Sequence, residues 1–147
     1  MKIQKVTPFL WFNSGAEDAA KYYTSVFTNS KIITTNPMVT TFEIEGLQIN
    51  ILNGGPTFKL NESFSLLISC ENQKEIDYYW SKLTEGGSEG QCGWLKDKFG
   101  LSWQIVPTAL GEMLGDKDPA KAGRTMQAML QMKKIDINVL KQAYEQA

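Results

Sequence analysis

Side chains that could do acid–base, nucleophilic or metal chemistry are few in this sequence, and histidine is absent from it. Without imidazole there is no Ser-His-Asp triad, no Cys-His dyad and no His-ligated metal site. An enzyme built on this chain would have to use carboxylates, Lys, Tyr or one of the two cysteines as its acids, bases and nucleophiles. The residue types therefore restrict the possible chemistry before any fold is considered.

The candidate nucleophile is Cys92, which lies in the glycine-flanked segment Gly90–Trp94. Nearby lysines, Lys96 or Lys98, could favour a reactive thiolate by their positive charge. Because no histidine is available as a base, a strand or loop cysteine without a catalytic role is the favoured interpretation. Cys70 ends an apolar strand pattern and is predicted to belong to the core.

Two further groups have a functional and a structural interpretation. Lys96 and Asp97 could form a charged pair near a ligand, but a solvated hairpin is the favoured interpretation. The segment Asn53–Phe58 carries a strong loop signal, Asn-Gly-Gly-Pro. It is either a loop that contacts a ligand or a plain connection between two parts of the chain.

The 147 residues fit one domain, and their charge is nearly balanced, with 15 Lys+Arg against 16 Asp+Glu. Such a balance gives no general attraction to nucleic acid or to an anionic membrane, so neither is predicted as a partner. No apolar run approaches the ~20 residues that span a bilayer, and no signal peptide is recognised. We expect a cytoplasmic protein with reduced thiols.

The apolar spacing predicts a strand, a helix and three further strands in the first part of the chain. Ser14 and Glu17 match a helix capping box, with Ser14 as the N-cap. The predicted strands are Ile3–Phe12, Lys31–Asn36, Val39–Glu45 and Leu47–Leu52.

The same order follows again, and then a tail of a different kind. Strand Ser63–Cys70 and helix Asn72–Glu85 precede two strands, Gln91–Phe99 and Leu101–Pro107. The tail Thr108–Ala147 is predicted to be helical, with Asp118 and Asp136 as N-caps.

The two halves align with each other as an internal repeat. Leu10 falls on Leu66, the pair Tyr22-Tyr23 on Tyr78-Tyr79, and Gly46-Leu47 on Gly100-Leu101. We therefore predict an α+β fold in which two βαβββ modules form a cup-shaped mixed sheet with a C-terminal helical extension. The single domain, 1–147, comprises module one at 1–57, module two at 58–107 and the helical tail at 108–147.

Strand alternation predicts which side chains pack on the helices and which face the cup. Leu47, Ile49 and Ile51 form the uniformly apolar side of one strand, and Leu101, Trp103 and Ile105 that of its repeat mate. The residues predicted to line the cup and bind a ligand are Phe9, Trp11, Gln48, Asn50, Ser65, Leu67, Ser102 and Gln104. Leu52 and Val106 are predicted on the same sides.

Several stretches resemble the PhnB-like branch of the vicinal oxygen chelate superfamily, the glyoxalase, bleomycin-resistance and extradiol dioxygenase group. They are Pro8–Phe12, Ala16–Tyr23, Asn53–Pro56, Gln91–Asp97 and Trp103–Pro107. The resemblance covers essentially the whole chain and implies the glyoxalase/bleomycin-resistance fold and a homodimer. It does not specify a reaction, because the superfamily includes many chemistries and plain binding proteins.

The resemblance also implies where a metal ion would bind, at or near Phe9, Asn50, Ser65 and Gln104. None of these offers a carboxylate or an imidazole, and amide and hydroxyl oxygens alone bind divalent transition metals poorly. We therefore predict no metal and no cofactor. The branch is often labelled as a demethylubiquinone methyltransferase domain, but the glycine pairs lack the pattern and context of a common S-adenosylmethionine site.

The predicted function is binding of a small apolar or aromatic molecule in the cup, by a homodimer. The alternative is a lyase or isomerase that works without a metal, which needs a carboxylate, Lys or Tyr inside the cup. Among the middle strands Glu43, Glu45, Lys96 and Asp97 are the candidates for that role. A third interpretation is a dimer that serves only as a structural or partner-binding protein. The residue types are compatible with a binding protein and with an enzyme.

Overall fold

The computed structural model describes residues 3–146, which form two units, one ending at Asn61 and the other beginning at Glu62. Met1, Lys2 and Ala147, which the predicted modules include, lie outside the described residues. Each unit contains one four-stranded mixed sheet, so the fold class is α+β, as predicted. No helix within residues 3–146 is both long and apolar enough to cross a membrane.

The first unit places its sheet strands in the order β1-β4-β3-β2. β1 runs parallel to β4, whereas β3 is antiparallel to both of its neighbours. The elements are β1 (Phe9–Phe12), α1 (Ala16–Val26), β2 (Ser30–Thr35), β3 (Val39–Ile44) and β4 (Leu47–Asn53).

Helix α1 packs on one face of this sheet through small residues and one tyrosine. Ala16, Ala19 and Ala20 are fully buried, so the helix can approach the strands closely. Tyr23 stacks on Phe42 of β3, with 5.5 Å between ring centroids. The sheet supplies Ile49 and Ile51 to the same core, as the alternation predicts.

The first strand is shorter than predicted, because it begins at Phe9 and not at Ile3. Ile3 is 90% exposed. Ahead of the strand, the Gln4 side chain pairs with the backbone of Gln48: its Nε2 donates to the Gln48 carbonyl at 2.9 Å, and its Oε1 accepts from the Gln48 N–H at 3.0 Å. The Gln4 side chain thus supplies a hydrogen bond to the Gln48 carbonyl that the backbone of Pro8 cannot supply, because proline has no N–H to donate.

The predicted capping box at Ser14 is also wrong. The N-cap of α1 is Gly15, whose φ of 82° lies in the left-handed region that favours glycine. The side-chain oxygen at this helix end comes from a distant strand, because the Ala16 N–H donates to Asn53 Oδ1 at 2.9 Å. Asn53 Nδ2 donates to the Pro37 carbonyl at 3.1 Å, so one side chain ties three segments of the unit together.

The second unit repeats this topology with the strand order β5-β8-β7-β6 and a parallel β5–β8 pair. The equivalence of the two orders supports the internal repeat. Its sheet and helix are β5 (Ser65–Cys70), α2 (Gln73–Thr84), β6 (Ser88–Glu89), β7 (Trp94–Lys96) and β8 (Ser102–Pro107).

The strand predicted over Gln91–Phe99 is shorter in the structure and covers only Trp94–Lys96. The two-residue strand Ser88–Glu89 was not predicted. Cys92 and Gly93 both have positive φ, 58° and 83°, so the chain turns there before the strand begins. Asn72, which was predicted inside α2, is its N-cap and accepts from the Glu75 N–H at 2.9 Å.

The tail is helical, as predicted, and contains α3 (Thr108–Leu114), α4 (Pro119–Leu130) and α5 (Ile137–Glu145). Asp118 and Asp136 are the N-caps of the last two helices, also as predicted. The tail has its own buried cluster, formed by Leu110, Met113, Ile135 and Leu140.

The connection between α4 and α5 is fixed to the rest of the second unit by paired hydrogen bonds. Gln73 Nε2 donates to the Ile135 carbonyl at 3.0 Å, and Gln73 Oε1 accepts from the Ile137 N–H at 2.8 Å. The Cys92 N–H donates to the Met132 carbonyl at 2.8 Å. The tail is therefore an integral part of the second unit.

Candidate functional site

Each sheet has one face packed on its helix and an opposite face, which we call the open face. In the first sheet the register aligns Phe9 with Asn50 and Asn50 with Thr41. Phe9 is 55% exposed, whereas its neighbour Leu10 on the helix side is 4% exposed. The predicted alternation in β1 is therefore seen in the burial of its side chains.

Polar atoms on this open face are paired with each other. Thr41 Oγ1 donates to Asn50 Oδ1 at 2.6 Å, which occupies the amide oxygen. Gln48 lies on the same face, one row away and beside Glu43. Sequence reasoning missed Thr41, although alternation along Val39–Ile44 would have placed it beside Asn50. Leu47 departs from its predicted packing, because it is 37% exposed at the end of its strand.

Trp11 lies on the open face, but a loop of its own unit covers part of its ring. Its Nε1 donates to the Gly55 carbonyl at 3.0 Å, and Phe58 meets the indole edge-on at a centroid distance of 5.0 Å. A Cβ placed on Gly54 would lie 2.4 Å from Trp11 Cε2, so only glycine fits there. The loop Asn53–Phe58 is thus fitted to Trp11, whereas Phe9 presents the more exposed aromatic surface.

In the second sheet the register aligns Ser65, Ser102 and Lys96 in one row and Leu67, Gln104 and Trp94 in the next. These residues define its open face. Leu67 is 53% exposed, and Ser102 is 1% exposed. Gln104 Nε2 donates to Ser65 Oγ at 3.0 Å, so these two predicted site residues are in direct contact.

Val106 was predicted to face the cup, but the helical tail covers it. It packs against the buried cluster of the tail around Leu110 and Met113. The opposite side of the sheet behaves as predicted, because Leu101, Trp103 and Ile105 are all buried.

The residues at the positions implied for a metal ion do not fit one. Phe9 carries no ligand atom, and the Asn50 amide oxygen already accepts a hydrogen bond from Thr41. Ser65 Oγ accepts a hydrogen bond from Gln104 Nε2, so these two side chains are also paired with each other. Within residues 3–146 there is no group of three His, Cys, Asp or Glu side chains that could hold a metal ion.

Asp97 is buried, which corrects the prediction of a solvated hairpin; it is 2% exposed. Asp97 Oδ1 accepts from the backbone N–H groups of Phe99 and Leu101 at 2.8 and 3.1 Å. Asp97 Oδ2 accepts from Trp103 Nε1 at 2.9 Å. The carboxylate therefore closes the β7–β8 turn and fixes an indole of the helix-side core.

Among the remaining candidate groups, Glu43 and Lys96 lie on the open faces, whereas Glu45 and Cys70 do not. Lys96 forms an ion pair with Glu62, and this hydrogen bond lowers the pKa of the Glu62 carboxyl. Glu45 lies in the turn before β4 and accepts from Asn29 Nδ2 at 3.2 Å. Burial raises the pKa of the Cys70 thiol to about 12, which agrees with its predicted place in the core.

Comparison with known proteins gives a family match over most of the chain. The family model described as 3-demethylubiquinone-9 3-methyltransferase matches residues 4–106. A search of curated proteins found no match.

Solved structures show the same fold. A putative 3-demethylubiquinone-9 3-methyltransferase, a PhnB protein from Bacillus cereus, is 30% identical, with a TM-score of 0.65 over 71% of this chain and 100% of its own. Protein PA1353 from Pseudomonas aeruginosa is 16% identical, with a TM-score of 0.59 over 71% and 98% of the two chains. The fosfomycin resistance protein FosX from Listeria monocytogenes, complexed with Mn(II) and sulfate, is 16% identical, with a TM-score of 0.56 over 78% and 97%.

Proposed function

Because the chain belongs to the 3-demethylubiquinone-9 3-methyltransferase, or PhnB-like, family of the vicinal oxygen chelate superfamily, we propose that it binds a small apolar or aromatic molecule. The molecule would contact the open face of a sheet, at Phe9 in the first unit or at Leu67 in the second, without the help of a metal ion. The observation that carries this proposal is the exposure of Phe9 and Leu67, 55% and 53%, on the open faces of their sheets.

The energetics favour a partly apolar ligand. Covering exposed carbon surface contributes about 25 cal/mol for each Å² removed from water, so a large exposed side chain such as Phe9 or Leu67 supplies a useful share of a small molecule's affinity. Their neighbours Asn50 and Gln104 offer amide groups that bear no charge. Such a mixture of apolar surface and a few polar groups is typical of small-molecule sites.

The types of side chain at the implied ligand positions support binding without a metal ion. The implied ligand positions hold an aromatic ring, two amides and a hydroxyl, of which three are already hydrogen-bonded in pairs. Hard and borderline divalent ions prefer carboxylate or imidazole ligands over these groups. We therefore do not carry over metal-dependent isomerase or dioxygenase chemistry.

The proposed function differs from the methyltransferase activity in the family's description. Common S-adenosylmethionine enzymes bind the nucleotide at a glycine-rich turn between a strand and a helix of a parallel sheet. Here each sheet contains antiparallel pairs, and Gly54 lies against Trp11 instead of opening a helix.

We further propose a cytoplasmic homodimer. Both cysteines are free thiols, which supports a reducing compartment. The tail exposes Met126, Leu130 and Val139 to between 39% and 48%, and these side chains provide apolar surface for a second copy.

The proposal can be tested with Nile red, a neutral apolar dye whose fluorescence rises and shifts to the blue when it is bound. We expect the native chain to bind the dye and Phe9→Ser or Leu67→Ser to weaken its affinity about tenfold, the equivalent of ~1.4 kcal/mol. Ile3→Ser is the matched control, because Ile3 is 90% exposed outside the sheets. Absence of dye binding, or equal binding by all variants, would instead favour a structural or partner-binding protein.

A further inference from the structure

An open groove of about 650 Å³ is lined by residues of α4 and α5 in the helical tail. Sites for small molecules typically measure about 300–1,000 Å³, so the groove has room for one. Gly123, Ala128 and Ala143 supply small side chains to its lining, and Gln127 and Gln131 supply amide groups. Both helices lie beyond residue 106, so the groove is outside the part of the chain that the family model matches.

Arg124 gives the groove a positive charge and hydrogen-bond donors that the fold does not use. Its Nε donates to the Ala143 carbonyl at 2.9 Å and its Nη2 to the Tyr144 carbonyl at 3.0 Å, so one edge of the guanidinium covers the C-terminal end of α5. A guanidinium carries five N–H groups. Within residues 3–146, Arg124 forms no other hydrogen bond and no ion pair.

The unused edge of this guanidinium suits a carboxylate. Its Nη1 and the second N–H of Nη2 form a fork that matches the two oxygens of a carboxylate, and such charge-assisted pairs are the strong ones. No Asp or Glu is among the described residues that line the groove, so no lining side chain occupies the fork. The charge in the groove therefore favours an anionic ligand group.

Gly123 is an independent sign that the groove receives a ligand. It lies inside α4, where glycine is among the least favourable residues. A Cβ placed on Gly123 would meet no other part of the described chain within 4 Å, so internal packing does not require glycine there. Without a side chain, Gly123 keeps the groove open beside Arg124 and lets a bound molecule approach the helix backbone closely.

We propose that this groove binds a small organic acid. Its carboxylate pairs with the free edge of Arg124, and its apolar part lies against Gly123, Ala128 and Ala143. The site goes beyond the proposed function, because it uses none of the residues of the open faces.

The test compares 4-phenylbutyrate with 4-phenylbutyramide, which has nearly the same shape but no charge. Binding can be followed by NMR titration of the Gly123 amide and the Arg124 Nε–H signals, which localise the probe. We expect the carboxylate to bind the native chain about fivefold to tenfold more tightly than the amide, because hydrogen bonds between two charged groups are roughly twice as strong as neutral ones. The preference should shrink in ~1 M NaCl, where exposed charges are screened.

Gly123→Leu tests the position of the site. Leucine fills the groove, so the affinity for 4-phenylbutyrate should fall by about tenfold or more. Gly111→Leu is the matched control, because Gly111 is also a helical glycine whose Cβ would meet nothing within 4 Å of the described chain, and it does not line the groove. Both variants should melt at or above the temperature of the native chain, since leucine favours a helix more than glycine does.

Arg124→Lys tests the fork itself. Lysine keeps the positive charge but cannot bind a carboxylate through two parallel N–H groups, so the preference for the carboxylate probe should fall to about twofold.

Three results would overturn this inference: equal affinity of the native chain for the two probes, a carboxylate preference that survives Gly123→Leu, or equal losses in the Gly123 and Gly111 variants. None of them would change the response of Nile red to Phe9→Ser or Leu67→Ser. Failure of the inference is therefore distinguishable from failure of the proposed function.

Discussion

Replacement of Asp97 by asparagine should destabilise the second unit, because it alters a buried acceptor without creating a large cavity. The variant keeps one oxygen for the N–H groups of Phe99 and Leu101, but it places an amide NH₂ 2.9 Å from Trp103 Nε1. A donor then faces a donor. One hydrogen bond to a charged group is worth about 1.5–3 kcal/mol, so we expect the free energy of unfolding to fall by about 2–3 kcal/mol.

A double-mutant cycle with Trp103→Phe isolates this contact. Phenylalanine removes the indole donor, so Asp97→Asn should cost about 1.5 kcal/mol less in that background than in the native chain. The assay is urea unfolding followed by far-UV circular dichroism, which does not depend on tryptophan fluorescence. Asp18→Asn, at an exposed position of α1, should cost less than about 1 kcal/mol.

The reasoning about Asp97 would be refuted by a variant as stable as the Asp18 control. It would also be refuted by a cycle with no coupling between Asp97 and Trp103. Either result would mean that the buried carboxylate does not stabilise the indole and the β7–β8 turn.

Three further changes test other contacts of the structure. Asn53→Ala should lower stability by about 1 kcal/mol in chemical unfolding, because the end of α1 loses its side-chain acceptor, whereas Ser14→Ala should have a smaller effect. Gln73→Ala should speed amide hydrogen exchange in the connection between α4 and α5, because both hydrogen bonds from this side chain are lost; unchanged exchange would contradict that role. A thiol reagent at pH 8 should modify Cys92 and spare Cys70, whose pKa of about 12 keeps it protonated, until the protein is denatured.

The order of elements and the repeat could be predicted from the sequence, because apolar periodicity and hairpin glycines are local signals. Ile49, Ile51, Trp103 and Ile105 are buried as alternation requires. The same logic placed Phe9 on the open face of its sheet.

What the sequence did not reveal depends on contacts between distant residues. Ser14 satisfies a local capping pattern, yet the oxygen at the start of α1 comes from Asn53, 37 positions away. The sequence around Asp97 is typical of a solvated hairpin, and its burial becomes evident only from the hydrogen bond that Trp103 donates to it in the structure. Ser102 follows the alternation, but only the packed structure shows that its hydroxyl is buried and has no hydrogen-bond partner among residues 3–146.

Native mass spectrometry of the protein purified from its host tests the central claim most directly, since one spectrum reports subunit number, metal and bound molecule. The proposed function predicts a dimer that carries a small organic molecule and no metal ion. A divalent metal adduct, or a chain that carries no small molecule at all, would contradict it.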